Sequence, residues 1–280
     1  MTELRRRMLE DMQLRGLAEH TRKSYMDAVR MLAEHYHRSP DQLGEEEIRK
    51  FFLYLIQERK LCQGTIRVYL YGIKFFYERT LKREWPVLNL IRGQASKRLP
   101  TVLSVEEVHR LLGLVKIPRN HMCLLTIYSC GLRLSEATHL KVTDIDSNRN
   151  VLWVRGGKGA KDRCIPLPRR TLELLRKYWL IGRPRPWLFL GNRGPSPISN
   201  EAIEVCWKKV VRESDIMKHV CVHTLRHSYA THLLENGVDI RVIQGILGHR
   251  NPKSTVIYTH LTQKVMTTLY ATVDNLMANL

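Results

Sequence analysis

The segment from His223 to His260 reads HTLRHSYATHLLENGVDIRVIQGILGHRNPKSTVIYTH. Its apolar residues recur at helical spacing and predict three short helices joined by tight turns. Asp239 is the predicted N-cap of the second helix, Gly248 ends it, and Asn251-Pro252 opens the third. The reactive side chains of the segment therefore stand near the ends of helices.

An arginine within the apolar face of the first helix is the most informative residue of this segment. Leu225 and Tyr229 belong to the predicted buried stripe, and Arg226 lies in the same arc. A guanidinium there needs an anionic partner, because an unpaired buried charge is costly. His223 shares a helix face with Arg226, since the two are three residues apart.

Two further reactive groups follow downstream. His249 comes directly after the glycine that ends the second helix, and Tyr258 comes nine residues later. An arginine, two imidazoles and a phenol presented in this way are groups that can hold a phosphate and attack it.

Three boxes carry a resemblance to a known family: HTLRH, LGHRNPKSTVIYTH and, upstream, GLRLSEATHL. They resemble the tyrosine recombinase (phage integrase) family, and the layout of the chain is most similar to the short Xer-type members. The resemblance implies a mainly α fold. A small four-helix, SAM-like DNA-binding domain would occupy residues 1–90 and a linker residues 91–100. Residues 101–280 would form a mostly α catalytic domain with a small β-sheet or hairpin and a C-terminal exchange helix.

The N-terminal domain is also predicted by hydrophobic period alone. Four amphipathic helices are expected at about residues 4–15, 21–37, 44–60 and 65–81. In the fourth helix, the predicted core residues are Leu70, Ile73 and Phe76. Arg67 and Lys74 between them form a candidate face for contact with the DNA backbone. Periodicity is lost from residue 83, where the chain gains Pro, Gly, Ser and charge.

The chain is strongly basic, with 46 Lys and Arg against 27 Asp and Glu and a formal net charge of +19. The surplus is 7 over residues 1–98 and 12 over the rest, so it is not confined to a tail. This distribution favours double-stranded DNA gripped along the whole protein over a merely soluble basic protein. Lys97 and Arg98 in the linker are further candidates for contact with phosphates.

The sequence predicts a cytoplasmic, nucleoid-associated protein. No apolar run approaches the roughly 18 to 20 residues of a membrane span, and the N-terminus lacks the apolar centre of a signal peptide. The six cysteines form no Cys-x-x-Cys pair and are predicted to be buried reduced thiols. The run HVCVH at residues 219–223 could place three ligands on one face of a strand. No fourth ligand is evident, so no metal site is predicted.

An arginine and a glutamate one helical turn apart are the first candidate site residues of the predicted catalytic domain. A capping box at Ser104 starts a helix, and a later apolar helix ends at Gly131. Arg133 and Glu136 follow. Such residues commonly form a surface ion pair, but the preceding glycine and the apolar neighbours predict that Arg133 points inward. The resemblance implies that Arg133 clamps a phosphate and that Glu136 helps to order the site.

A β-hairpin is predicted from residues 151–155 and 163–167 around the glycine-rich tip GGKGAKD. Lys158 at this tip is not part of a Walker-type loop, because Gly159 rather than Ser or Thr follows it. The resemblance implies that Lys158 is the general acid. Lys161 is the nearest alternative to it and a candidate DNA contact.

The resemblance implies a complete reaction. Tyr258 would attack a DNA phosphodiester to give a 3′-phosphotyrosyl intermediate, with His223 and His249 positioning the phosphate and handling the phenol proton. Arg133 and Arg226 would stabilise the transition state. Neither a metal ion nor any other cofactor, ATP included, is required, because the covalent link conserves the bond energy.

An assembly is implied as well. The resemblance implies a tetramer on two DNA sites, joined through a C-terminal helix whose apolar stripe includes Val265, Leu269, Val273 and Leu276. Packing of this helix on its own domain is the alternative. Accessory recombinases or DNA-bending proteins are candidate partners, and no membrane is involved.

Two rival functions remain open. A type IB topoisomerase-like enzyme would use the same chemistry to nick and close DNA without exchanging partners. A catalytically silent DNA-binding regulator would have no need of Tyr258.

Overall fold

The computed structural model describes residues 2–90, 101–156, 162–192, 194–248 and 271–277. The chain divides into two compact units, residues 1–98 and residues 99–280. Helices dominate both units, and the second also holds a three-stranded sheet, which confirms the predicted mainly α class. None of the described helices has the length and apolar character needed to cross a membrane.

The first unit is built from four long helices, as predicted. They are α1 (Glu3–Leu14), α2 (Glu19–Tyr36), α3 (Glu45–Gln57) and α4 (Gln63–Phe75). A π-helical turn, Phe76–Thr80, continues α4, and the short α5 (Val87–Leu90) follows. Helix α2 begins two residues before its predicted start at residue 21, and its N-cap is Ala18.

A close helix crossing organises this unit. A Cβ atom on Gly72 of α4 would come within 3.0 Å of Tyr25 Cα and Ala28 Cβ of α2. Only glycine therefore allows the two backbones to approach this closely. Leu70, Ile73 and Phe76 are buried, which confirms them as core residues.

The core of the first unit continues beyond residue 83, where the sequence loses its period. The Trp85 ring stacks on Tyr77 with centroids 4.1 Å apart, and Val87 and Leu88 are buried. The backbone N–H of Val87 donates to the Glu45 carboxylate at 2.7 Å. A single helical turn is too short to show a period, so its apolar residues could not be distinguished from a linker.

The second unit begins with the helices α6 (Val105–Gly113), α7 (Pro118–Cys130) and α8 (Leu134–Thr138). The sheet follows, with strands β1 (Ile145–Asp146), β2 (Val151–Val154) and β3 (Arg163–Pro166). After the sheet come the helices α9 (Arg169–Gly182), α10 (Asn200–Glu213), α11 (Val222–Glu235) and α12 (Ile240–Leu247). Residues 271–277 are also helical.

Several local predictions for this unit are confirmed. The capping box at Ser104 is present, with Ser104 N–H donating to Glu107 at 2.7 Å. β2 and β3 form the predicted antiparallel hairpin, with Trp153 opposite Cys164. The two-residue β1 pairs with the other side of β2 and was not predicted, because two residues carry no alternation.

Helix α7 lies at the centre of the second unit. Its residues from Met122 to Cys130 are all buried, and α9 and α11 pack against it. A helix covered on all sides must be apolar all round, which the sequence MCLLTIYSC nearly achieves. The buried hydroxyl of Thr126 has a hydrogen-bond partner within the helix, because it donates to the carbonyl of Met122 at 2.6 Å.

The helical residues 271–277 pack on the second unit of the same chain. Val273 and Met277 are fully buried in its core. The Asp274 carboxylate accepts a hydrogen bond of 2.8 Å from the backbone N–H of Arg169, the first residue of α9. For these residues, the single chain adopts the alternative in which the helix covers its own domain.

All six cysteines are free, as predicted. Burial was predicted for all of them, and this is correct for Cys123 and Cys130 but wrong for Cys62 and Cys221, which are exposed. Burial raises the pKa of the Cys130 thiol to about 12, so this thiol stays protonated at neutral pH.

Candidate active site

Arg226 lies in α11 within the buried face predicted for it and is only 3% exposed. Its Nη1 donates to the carbonyl of Gly131 at 2.6 Å, and its Nη2 donates to the carbonyl of Leu247 at 2.5 Å. These carbonyls stand at the C-terminal ends of α7 and α12, where a helix has unsatisfied acceptors and partial negative charge. One guanidinium therefore holds two helix ends together.

The anionic partner expected for Arg226 is Glu136. The distance from Arg226 Nη1 to Glu136 Oε2 is 3.8 Å, which is an ion pair without a direct hydrogen bond. Burial, followed by the repulsion of Arg133 and Arg163, lowers the pKa of Arg226 to about 10 against the opposing effect of Glu136. Arg226 remains charged at neutral pH.

Glu136 is the point at which three arginines converge. At the start of α8 its carboxylate accepts the backbone N–H of Arg133 at 2.8 Å and Nη1 of the same residue at 2.7 Å. Arg163 from β3 adds a bidentate pair, with Nη1 to Oε1 at 2.8 Å and Nη2 to Oε2 at 2.7 Å. With Arg226 nearby, one carboxylate binds or faces three guanidinium groups.

The arginines around Glu136 lower the pKa of its carboxyl group. Burial alone would raise its pKa, but the hydrogen bonds and charge of Arg163, followed by the hydrogen bonds of Arg133, outweigh burial and lower it to about 2. Glu136 is therefore a permanent anion at any pH at which the protein would work. Three arginines and one carboxylate leave an excess positive charge at this place, which suits a phosphate.

Arg133 is the member of the network that faces open space. Its side chain is 23% exposed, and its Nη2 donates to the carbonyl of Gly248 at 3.3 Å. It lines a cleft of about 480 Å³ together with Ser135, His139 and Arg155. Arg133 therefore belongs to the network around Glu136, as the predicted inward orientation requires, and is not part of an isolated surface pair. Its exposed fraction faces the cleft.

Two glycines let the helix ends meet around this network. Gly131 has φ +59°, and a Cβ there would come within 2.6 Å of the Tyr229 ring. Gly248 ends α12 with φ +62° and lies against the Arg163 side chain, where a Cβ would be 3.1 Å from Cδ. Asp239 caps the other end of α12, so the predicted bounds of this helix are confirmed.

Sequence reasoning missed Arg163. The signal was present, because Arg163 and Ile165 share one face of β3 and a strand face that carries an isoleucine is commonly the buried one. Both residues are buried. An arginine at such a position needs a carboxylate, and Glu136 is that carboxylate.

His223 lies in the first turn of α11 and is exposed. Its ring meets the edge of His227 with centroids 4.6 Å apart. Burial and then the charge of Arg226 lower the pKa of His227, so this neighbour is neutral at pH 7. His223 is thus exposed, whereas Arg226, three residues later in α11, is buried.

Comparison with known proteins identifies the family. The sequence model of the phage integrase family matches residues 101–264, and that of the phage integrase N-terminal SAM-like domain matches residues 4–87. The chain belongs to the phage integrase family. The predicted enzyme class, a tyrosine-type site-specific recombinase, is thereby confirmed, as is the SAM-like character of the N-terminal region.

Individual members of the phage integrase family are similar over most of the chain. A putative integrase/recombinase of Sinorhizobium fredii is 44% identical over 270 residues, which cover 96% of this chain and 88% of the relative. Tyrosine recombinase XerC of Halalkalibacterium halodurans is 31% identical over 243 residues, 80% of each chain. The similarity to Xer-type members is thus confirmed.

A solved structure supports the integrase fold. The lambda integrase tetramer bound to a Holliday junction superposes with a TM-score of 0.73 at 17% identity, covering 89% of this chain and 76% of that one. At this identity the likeness concerns the fold alone.

Several predicted residues of the integrase site lie outside the described residues. They are Lys97, Arg98, Lys158, Lys161, His249 and Tyr258. The hairpin that carries the two tip lysines is closed at its base, where Gly156 N–H donates to the Asp162 carboxylate at 2.9 Å.

The two candidate DNA contacts on α4 differ in their surroundings. Arg67 is exposed. Lys74 is partly buried, donates to Asn89 at 2.6 Å and lies 3.4 Å from Glu78. Lys74 therefore has partners within its own unit, and Arg67 lies beside the exposed Val68 and Tyr71.

The run HVCVH is not a strand, which corrects the assumption behind the metal hypothesis. Residues 219–221 are irregular and α11 begins at Val222, so the three side chains do not alternate on one face. Within the described ranges, no group of three or more His, Cys, Asp or Glu residues is arranged to hold a metal ion.

Proposed function

We propose that this recombinase cuts and rejoins DNA with Tyr258 as its nucleophile. The phenol oxygen attacks a phosphodiester, the new O–P bond forms as the bond to the 5′-oxygen breaks, and a 3′-phosphotyrosyl link results. The phenol proton passes to His223 or His249, since an imidazole titrates near neutrality. Lys158 gives a proton to the departing 5′-oxygen, which leaves as a hydroxyl.

One observation carries this proposal: Arg226 and Arg133 are fixed side by side by the same carboxylate and helix ends. Arg226 is held by the carbonyls of Gly131 and Leu247, and Arg133 by Glu136. Guanidinium groups that are held in place before the reaction stabilise the negative charge that develops on the pentacoordinate phosphorus of the transition state. The guanidinium groups need not reorganise when the charge appears.

Rejoining follows by reversal. The 5′-hydroxyl of a second strand attacks the phosphotyrosine, re-forms the phosphodiester and releases Tyr258. The covalent link retains the energy of the cut bond, so no nucleotide or metal ion enters this scheme.

DNA and a second copy of the chain are the proposed partners. The solved lambda integrase assembly is a tetramer on a Holliday junction. The surplus of positive charge in both halves of this chain supports DNA contact along its whole length. The enzyme would act on DNA in the cytoplasm as a homo-oligomer, with accessory DNA-bending or recombinase partners. Its C-terminal helix, which covers its own domain in the single chain, would exchange onto a neighbouring protomer in this assembly.

The domain arrangement belongs to the same proposal. Residues 1–90 would grip DNA, residues 91–100 would connect, and residues 101–280 would perform the chemistry. Arg67 and Lys74 in the first part, and Lys97, Arg98 and Lys161 beyond it, are the proposed contacts with phosphates.

A nicked suicide substrate tests the reaction. Wild type and Tyr258→Phe are mixed with DNA whose freed fragment diffuses away, in the presence of chelator and without ATP, and run on a denaturing gel. We expect a protein–DNA adduct with wild type only. An adduct in the variant would show that another residue attacks. A wild type that binds its own site without forming an adduct would favour the silent regulator.

A second assay separates recombination from nicking and closing. Two duplexes with different labels are incubated with the enzyme, and products are scored for exchanged strands. Exchange supports the recombinase, whereas relaxation of supercoiled DNA without exchange would support a topoisomerase-like enzyme.

A further inference from the structure

Arg163 has no assigned part in the proposed reaction, yet it is bound within the site as firmly as the predicted residues around it. All three nitrogens of its guanidinium donate hydrogen bonds. Two go to the carboxylate of Glu136 at 2.8 and 2.7 Å, and Nε goes to the carbonyl of Ile246 at 2.9 Å. The side chain is only 8% exposed.

We propose that Arg163 is a positioning residue that holds Arg133 in place for the phosphate. The proposal rests on the proposed function and adds a residue to it. Arg163 acts through its neighbours, because each of its three guanidinium nitrogens already donates to an acceptor within the protein.

Both supports of the Arg133 guanidinium depend on Arg163. The first is Glu136 Oε1, which Arg133 Nη1 and Arg163 Nη1 share at 2.7 and 2.8 Å. The second is the carbonyl of Gly248, which Arg133 Nη2 reaches at 3.3 Å. The end of α12 that presents this carbonyl is held by the bond from Arg163 to Ile246, two residues earlier.

The backbone of Gly248 lies directly on the Arg163 side chain. A Cβ at this position would be 3.1 Å from Cδ, 3.3 Å from Nε and 3.4 Å from Nη1. Arg163 thus sets the end of α12 by packing as well as by hydrogen bonding. A planar guanidinium can pack against the helix end and also bind a carboxylate with two parallel hydrogen bonds, whereas a lysine ammonium cannot do both.

Charge gives a second reason for the arrangement. Glu136 binds Arg163 and Arg133 directly and lies 3.8 Å from Arg226. With Arg163 neutralising Glu136, the charges of Arg133 and Arg226 remain directed at the substrate. Without it, the carboxylate would compete with the phosphate for the other two arginines.

The test uses three variants and the suicide substrate described above. Arg163→Met removes the guanidinium, and Arg163→Lys keeps the positive charge without it. The control, Lys209→Met, removes the exposed lysine of an i, i+4 ion pair on α10. The single-turnover rate of adduct formation at saturating DNA, the DNA affinity and the thermal midpoint are measured from pH 5 to pH 8.

We expect Arg163→Met to slow adduct formation on the order of 100-fold, because a displacement of about 1 Å at a reacting centre can cost that much. Arg163→Lys should be slowed by roughly tenfold, with DNA affinity nearly unchanged in both variants. Lys209→Met should match wild type. A rate loss without an affinity loss separates positioning of the phosphate clamp from a general weakening of the protein.

The pH profile provides the readout that a merely structural role would not change. Loss of Arg163 removes the strongest opposition to the effect of burial on Glu136, so the pKa of this carboxyl rises from about 2. The ratio of variant to wild-type rates should therefore fall as the pH falls towards 5. Adding Glu136→Gln to Arg163→Met should remove this pH dependence, because an amide does not titrate.

Three outcomes would overturn the inference. The first is a wild-type rate in Arg163→Met, the second is full activity in Arg163→Lys, and the third is a rate ratio that does not change with pH. If Arg163→Met does not fold, Arg163→Lys is measured in the same way and the same criteria apply. Absence of an adduct with wild type would instead overturn the proposed function.

Discussion

His232 shows how one buried side chain connects the start of the second unit to its central helices. The imidazole is 4% exposed in α11. Its Nε2 lies 2.9 Å from the carbonyl of Leu103, which can only accept, so Nε2 carries the proton. Its Nδ1 then accepts the hydroxyl of Tyr128 at 2.8 Å. The same backbone residue, Leu103, donates its N–H to Ser228 at 2.9 Å.

This geometry predicts a pH-dependent stability. Burial lowers the pKa of His232, an effect that the bond to Leu103 and nearby glutamates only partly offset. A lowered pKa means that the folded state prefers the neutral ring. The stabilisation is therefore complete above the unfolded pKa of about 6.5 and is lost as the pH falls below it.

Urea unfolding of wild type and His232→Gln between pH 5 and pH 8 tests this point. We expect the variant to be less stable at pH 8 by about 1–3 kcal/mol, because buried hydrogen-bonding groups lose their partners. The difference should shrink as the pH falls. His139→Gln, which changes an exposed histidine of the same unit, serves as the control. A gap that widens in acid would contradict the assignment of a neutral ring.

At the same scale, the sequence allowed the burial of Arg226 to be predicted but not its partners. Helical period alone placed Arg226 among Leu225 and Tyr229, and this needed no tertiary information. Its actual acceptors are carbonyls of Gly131 and Leu247, which are distant in sequence and meet only through folding. Ile165 on the same strand face could have indicated that Arg163 is buried, but its contact with Glu136, 27 residues away in the sequence, forms only through folding.

At the scale of elements, the helix ends determine the site more than the helix bodies do. α7 and α12 both end in glycines with left-handed backbone, Gly131 and Gly248. The left-handed turn exposes carbonyls at each end, and Arg226 binds one from each helix. Helix termini were also the features that sequence signals predicted best here, at Ser104, Asp239 and Gly248.

Gly131→Ala should therefore destabilise the second unit. The substitution places a Cβ within 2.6 Å of the Tyr229 ring and keeps a φ of +59°. The left-handed conformation costs roughly 1–2 kcal/mol for a non-glycine residue, and overpacking costs about 1–3 kcal/mol more. The free energy of unfolding from urea titration measures the sum.

Gly113→Ala is the matched control for this substitution. Gly113 is the last residue of α6, and a Cβ there would meet nothing within 4 Å. Alanine is a better helix former than glycine, so we expect no loss of stability or a gain of about 0.5–1 kcal/mol. Equal losses in both variants would show that the contact with Tyr229 is not the cause.

Elements that escaped prediction share a physical property: they are too short for the hydrophobic period of a strand or a helix to repeat within them. β1 has two residues, and α5 has four. Trp85 and Val87 are fixed to the first core by contacts with Tyr77 and Glu45, not by local preference. Longer elements such as α2, predicted at about residues 21–37 and observed at Glu19–Tyr36, impose their own pattern on the sequence.

At the scale of the whole molecule, positive charge is the property that both units share. A net charge of +19 on 280 residues implies that DNA binding releases many counterions and weakens steeply with salt. The contribution of each side chain depends on whether it contacts a phosphate. Arg30 lies on α2 with Asp27 at 3.0 Å and Glu34 at 3.8 Å, and Arg67 belongs to the proposed DNA-contacting face of α4.

The salt dependence of binding therefore distinguishes the two arginines. We expect Arg67→Gln to reduce the slope of log affinity against log salt by roughly 0.9, the value for one lost phosphate contact. Arg30→Gln should leave the slope nearly unchanged, because Arg30 lies on α2, outside the proposed face on α4. Fluorescence anisotropy with a labelled duplex, titrated at several salt concentrations, gives both slopes. If the two substitutions reduce the slope equally, the net charge of the first unit, and not a face on α4, governs its contact with DNA.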